Sequence, residues 1–461
     1  MHNEEITVIQ GGTVVLADRL APAHDVVITN GRISSIVPTA THALQSEPHR
    51  TIIDAGGCYV APGFIDIHSD YIEGIASPRP SVVMDLRTAL YQTDRSLIAY
   101  GVTTMYHSLS IYKGVMFDHK PIRYFENVVN LIECINQMRA GETYDHLMRH
   151  RLHARIELDA VEYFFDVEDL LRAGKVDLIS FMDHTPGQGQ YRDLEVYSNT
   201  VRSYSGNLSD EAVQELIEEQ QACVKLGFDE VTHLAEVARE CDVVIATHDN
   251  DSIKVVEAMQ GLGACISEFP ISLDIARSAQ KLGMYTIAGA PNVLLGYSHS
   301  GNLSACEAVC ADTIDILCSD YYPAALLRAV FELHRRHGVD LARAFALVTR
   351  NPARAVGING ELGEIAEGRK ADILLIRELV MEKEHTPVPV VQEVLVEGRS
   401  VFKTCYPHMS GYKKEVRAQP KRDQGDTRCS VAVQGETAPR EAAPREAAMR
   451  KAASHEAEQV A

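Results

Sequence analysis

Between residues 62 and about 350 the chain repeats one pattern: a short apolar run that looks like a strand, then a longer amphipathic stretch. The runs are APGFIDIH, GVTTMYHS, LHARIEL, VDLISFMDH, CDVVIATHD, GACISEF, MYTIAGAPN and IDILCSD. Among the segments between them, DEAVQELIEEQQACVKLG opens after Ser209 and Asp210 with acidic residues in its early turns, as the helix dipole favours. Eight strand and helix repeats predict a (β/α)8 barrel.

The flanks have a different texture. ITVIQGGTVVLA, DVVITNGRISSIV with its Asn30-Gly31 turn signal, and TIIDAGGCYVAPG read as short strands and turns. LGEIAEGRKADILLI and VVQEVLVEGRSVF repeat that texture near the other end, with Glu397-Gly398 in a turn. The expectation is one small composite β domain, residues 1–61 with 352–411, around a barrel at 62–351. From residue 412 the chain is polar and alanine-rich, with PREAA repeated at 439 and 444, which predicts a disordered or weakly helical tail.

Composition narrows the class. A chain of 461 residues, 46% hydrophobic, can fill one large α/β core and a smaller one. The formal charge of -20 argues against nucleic-acid or anionic-membrane surfaces, which need clustered lysine and arginine. No apolar run reaches membrane-spanning length and MHNEEITVIQGG lacks a signal-peptide pattern, so a cytoplasmic location is expected. Ten cysteines without a CxxC pair fit reduced thiols, with Cys306 and Cys310 as core residues.

In such a barrel the side chains that do chemistry stand at the C-terminal ends of strands. Those ends carry His68 and Asp70, His107, Glu157, His184, His248 and Asp320. Imidazole nitrogens and carboxylate oxygens are ligands for zinc, manganese or iron, and His68, Asp70, Glu157, His184, His248 and Asp320 are enough for two divalent ions. One histidine after a strand is ordinarily a hydrogen-bonded loop or core residue, but repeated placement where hydrophobic strands end favours ligands for His68, His184 and His248, with Asp320 beside them. For His107 a core role and a substrate contact stand level. Glu157 shares a strand face with Arg155, so a salt-bridged carboxylate is the alternative to a bridge between two ions.

Taken together, IDIHSDYIEGIASPRP, RLHARIEL, FMDHTPGQGQY, ATHDND, EFPIS, GAPNVLLGYSHSGNLSA, CSDYYPAALL and VTRNPARAVGI resemble the amidohydrolase superfamily. More closely they resemble its PhnM family, the α-D-ribose 1-methylphosphonate 5-triphosphate diphosphatases, over residues 6 to about 405. The resemblance implies a metal-dependent diphosphatase that releases pyrophosphate and leaves the 5-phosphate, in phosphonate catabolism by the carbon–phosphorus lyase pathway. Asp320 would then be ligand, orienter and proton acceptor for the attacking water. Gly187 and Gly189 would let backbone approach a phosphate, while Gln188, Gln190, His299, Ser300 and Asn302 donate to its oxygens. Arg79, set between Pro78 and Pro80, suits a bidentate phosphate contact or a structural ion pair.

Two departures stand out. Amidohydrolases generally place their metal histidines after the fifth and sixth strands, whereas counting here puts His184 and His248 after the fourth and fifth. Tyr71 replaces an asparagine, which leaves a related phosphonate substrate open. A C–N hydrolase of cyclic amides or N-acyl groups and a noncatalytic scaffold are the competing readings. A small-molecule substrate is expected, and a homodimer or higher homo-oligomer is the base expectation for a chain of this size.

Overall fold

Five strands open the chain: β1 (Ile6–Val15), β2 (Leu20–Thr29), β3 (Arg32–Pro38), β4 (Arg50–Asp54) and β5 (Tyr59–Pro62). The computed structural model describes residues 5–39, 50–113, 120–141, 145–206, 208–297, 303–380 and 387–405. The eight apolar runs then form β6 (Phe64–Ser69), β7 (Val102–Ile111), β8 (Arg149–Glu157), β9 (Leu178–Met182), β10 (Val244–His248), β11 (Ile266–Glu268), β12 (Tyr285–Gly289) and β13 (Ile316–Cys318). Three more close the described chain: β14 (Ile373–Leu379), β15 (Val388–Val396) and β16 (Arg399–Lys403).

The strands of the two chain ends share one sheet, ordered β16-β15-β14-β5-β1-β2-β3, with β4 also on β1. Its joint is the antiparallel pairing of β14 with β5, from Ile373 opposite Pro62 to Ile376 opposite Tyr59. Both expected hairpins form. Asn30 and Gly31 take positive φ angles of 49° and 79°, and Glu397 and Gly398 take 47° and 77°, as two-residue hairpin turns require.

β6 to β13 form a second, eight-stranded sheet in chain order, every neighbouring pair parallel. Every residue of β6, β7 and β9 is buried, because helices cover one side of the sheet and the barrel's own interior covers the other. Closure runs through backbone: Asp320 N donates to His68 O and Asp70 N donates to Asp320 O, both at 3.1 Å. A parallel bridge between Ser69 and Asp320 completes the ring. Gly63 leads into β6 where no side chain fits, since a Cβ there would stand 2.2 Å from Thr103 Oγ1 of β7.

Helices pack on the barrel through Val128, Leu131 and Ile135 against Leu152 and Ile156 on one flank, and through Phe331 and Phe345 with Phe64 and Leu374 on another. Each fully buried aliphatic or aromatic side chain contributes about 1.5–3 kcal/mol. The helix Asp210–Gln221 starts as its sequence predicts, with Ser209 Oγ accepting from Ala212 N at 3.2 Å. Cys306 is buried and Cys310 exposed, and the described cysteines are free thiols. Among the described residues no helix is long and apolar enough to cross a membrane. The tail from residue 412 lies outside the described residues.

The strand count holds. His184 follows β9, the fourth barrel strand, and His248 ends β10, the fifth. The sixth, β11, ends on the carboxylate of Glu268.

Candidate active site

The C-terminal ends of the barrel strands open into a cavity of about 630 Å³. His68, Asp70, Glu157, His184, His248 and Asp320 all line it, as does Gln190. Alternation along β6 explains part of this: Asp66 and His68 share one face of the strand, and Ile65 and Ile67 share the other.

His68 Nδ1 donates to Glu268 Oε1 over 2.8 Å, a pair in which both side chains are all but fully buried. Burial, then the nearby Arg155, pushes the His68 imidazole well below its ordinary value, so the ring is neutral. With its proton on Nδ1, the ring keeps a lone pair on Nε2. Phe269 stands edge-on to the ring at 4.9 Å and His153 packs against it at 5.1 Å, fixing its plane.

His184 sits between two carboxylates, with Nδ1 on Glu157 and Nε2 3.2 Å from Asp249 Oδ2. Burial opposes its protonation, but Glu157 and Asp249 outweigh burial and raise it to about 10. Asp249 is pushed far below the usual carboxylate range: burial works against this, and His248 and His184 prevail. His248 Nδ1 lies 3.0 Å from Asp249 Oδ2 but off the line of a hydrogen bond, so the buried atom has no hydrogen-bond partner. Asp320 lies across the cavity, its carboxyl pushed up to about 7 by burial and then by Asp70.

Two sets of donor atoms lie within 4.8 Å of one another: His68, His248 and Glu268, and His184, His248 and Asp249. Glu268 Oε2, like His248 Nδ1, is buried without a hydrogen-bond partner. Orphaned buried acceptors, neutral imidazole and an excess of carboxylate are what a divalent cation would satisfy, and the donor set suits zinc, manganese or iron. The residues therefore fit such an ion. Of the six residues expected as ligands, His68, His184 and His248 fall within these sets, while Asp70, Glu157 and Asp320 stand around them.

A family profile described as "Amidohydrolase family" matches residues 199–401. The α-D-ribose 1-methylphosphonate 5-triphosphate diphosphatase of Escherichia coli (strain K12) is 34% identical over 352 residues, 76% of this chain and 89% of that protein. The chain belongs to the PhnM family of the amidohydrolase superfamily. A solved structure of molinate hydrolase matches with a TM-score of 0.57 at 14% identity, over 94% of this chain and all of that one. One of a D-hydantoinase matches at 0.55 and 14% identity, over 86% of this chain and 95% of that one. Both support the barrel fold.

Other expectations for this PhnM-family chain need correcting. His107 does not line the cavity: it is buried on β7, its Nε2 hydrogen-bonded at 2.8 Å to Nδ1 of His150, whose Nε2 meets Asp94 at 3.0 Å. Its role is in the core. Arg79 and Gln188 are exposed and absent from the cavity wall, because the loops that carry them turn toward solvent. His299, Ser300 and Asn302 lie outside the described residues.

Five residues were not singled out from sequence. Asp249 follows His248 in ATHDND, and Glu268 ends the GACISEF strand, so reading every strand end for carboxylates would have found both. Arg155 projects into the cavity, its Nη2 3.5 Å from His248 Nε2 and its Nε donating to Met182 Sδ at 3.2 Å. Lys120 and Arg123 reach the wall from the segment after β7, which no periodicity marks.

Proposed function

We propose that this cavity hydrolyses α-D-ribose 1-methylphosphonate 5-triphosphate, or a close phosphonate analogue, to the 5-phosphate and pyrophosphate. The E. coli relative suggests the substrate. The observation that carries the reading is the cavity's charge pattern: Lys120, Arg123 and Arg155 line the same space as Asp320 and the histidine and carboxylate sets. A neutral cyclic amide needs no such cations, whereas a triphosphate does.

Two divalent ions would be held by His68, His184, His248, Asp249 and Glu268, with Asp70, Glu157 and Asp320 about them. They would supply Lewis acidity, offsetting charge on phosphoryl oxygens and making water easier to deprotonate. Asp320 accepts the proton of the attacking water, a task that a carboxyl lifted toward neutrality performs near pH 7. Water oxygen bonds to the α-phosphorus, the bond from that phosphorus to the bridging oxygen breaks, and pyrophosphate leaves with the electron pair. Arg155 and the cations on the wall hold phosphoryl oxygens while charge shifts onto the leaving group. The 5-phosphate then suits carbon–phosphorus bond cleavage by another enzyme.

The test is direct. Purified full-length protein, supplied with manganese or zinc, is given the ribose triphosphate and, separately, a panel of cyclic amides and N-acyl compounds. Pyrophosphate release is the expected result, and amide turnover without it would sink the reading.

A further inference from the structure

We propose that Lys120 and Arg123 form a subsite for the diphosphate end of the substrate, the part that leaves as pyrophosphate. This rests on the reaction proposed above and gives that polyanion an orientation.

Arg123 is held on the cavity wall by two carboxylates and by its own backbone. Its Nε donates to Glu73 Oε2 at 2.7 Å, and its Nη2 lies 3.6 Å from Asp70 Oδ2. Glu73 is 2% exposed, and its burial drives its carboxyl upward while Arg123 opposes that shift. Sinking a carboxylate beneath a six-residue helix is costly unless a cation answers it. Spending the Nε edge on Glu73 turns the Nη edge toward Asp70 and the cavity. The backbone is pinned as well: Ile122 N donates to Ser77 Oγ at 3.1 Å, and Arg123 N donates to Lys120 O at 2.9 Å in a tight turn that begins at Pro121. This is the pre-set guanidinium expected at Arg79, built on a different loop.

Asp70 supplies the link to the reacting centre. Its backbone N donates to Asp320 O at 3.1 Å, and its carboxylate faces Arg123. One residue therefore spans from the proton acceptor to the guanidinium. A phosphorus atom attacked beside Asp320 would direct its leaving diphosphate along this wall. The planar fork of arginine and the mobile ammonium of lysine match its oxygens, and they keep the polyanion off the carboxylates opposite. It also gives IDIHSDYIEG a function beyond its histidine: Asp70 and Glu73 aim Arg123.

The probe is inorganic pyrophosphate, titrated calorimetrically into full-length protein loaded with manganese and freed of excess ion, with orthophosphate as the comparison. Lys120→Met and Arg123→Lys should each weaken pyrophosphate about tenfold and change orthophosphate less than about twofold. The double variant Glu73→Gln/Arg123→Met, which removes the buried charge with its partner, should weaken pyrophosphate at least as much. Lys120 acts on the buried Glu73 at longer range than Arg123 does, so Lys120→Met, with its fold checked by circular dichroism, carries the test if the arginine variants fail to fold. Unchanged pyrophosphate affinity in natively folded variants, or no binding by the unaltered protein, overturns the subsite. Binding that depends on these residues without pyrophosphate release from the triphosphate keeps the subsite and removes the reaction; release with unaltered affinities does the reverse.

Discussion

At residue scale the site turns on groups whose environments drive them apart. Asp320 is lifted toward neutrality while Asp249 is driven down, so one carboxyl is suited to exchanging a proton and the other to holding charge. Asp320→Asn should lower kcat by about 10²- to 10⁴-fold, the usual contribution of a general base, with an unshifted melting curve. Activity within tenfold of the unaltered protein would remove Asp320 from that role. Glu268 holds the His68 tautomer through one oxygen, so Glu268→Gln keeps an acceptor there and loses the charge. Divalent-ion affinity, read by competition with a chromophoric chelator, should fall about 10- to 100-fold. An unchanged affinity would leave Glu268 a packing residue. His68, His184, His248 and Asp320 were legible because polar groups at the ends of apolar strands are conspicuous. Lys120 and Arg123 were not, because nothing in a loop's sequence states which way it folds over a barrel mouth.

At the scale of elements, the eight barrel strands were legible because burial on both faces demands continuous apolar runs, and such runs stand out against amphipathic helices. Individual strand numbers depended on omitting none, and the pairings show that none was omitted. The contact between β6 and β7 depends on Gly63. Gly63→Ala would press a methyl group into the branched and buried Thr103 side chain, which has no room to swing away. The expected loss is about 1–3 kcal/mol in urea unfolding, and Gly63→Ala/Thr103→Ser should recover part of it. A neutral result for the single change would show that the seam is looser than its distances.

At the scale of the whole molecule, an ion-pair network ties the sheet of the chain ends to the barrel. Arg149 of β8 contacts Asp372 and, at 2.6 Å, Glu397, while Lys370 Nζ meets Glu397 at 2.8 Å. The two Arg149 contacts join residues more than 200 positions apart in the chain, which is why local patterning could announce the Glu397 turn but not its tie to the barrel. The hydrogen bond from Lys370 foremost, with Arg149, lowers the Glu397 carboxyl from its ordinary 4.5 to about 2. Its folded value lies below its unfolded one, so the stabilisation is present above pH 4.5 and is lost as pH falls toward about 2. Glu397 is half-exposed, and solvent screening limits its worth to about 1 kcal/mol. Glu397→Gln should cost about that much at pH 7 and progressively less below pH 4.5; an equal cost at pH 3 would contradict the linkage. The barrel's closure has a consequence of another kind. Because Asp320 joins the seal through its main-chain N and O, with Ser69 Oγ donating to the same carbonyl at 2.7 Å, exchanging its carboxylate for an amide leaves those bonds in place. The architecture is separable from its chemistry at that position, so descendants or designs can exchange the reaction, or abandon it, and keep the vessel.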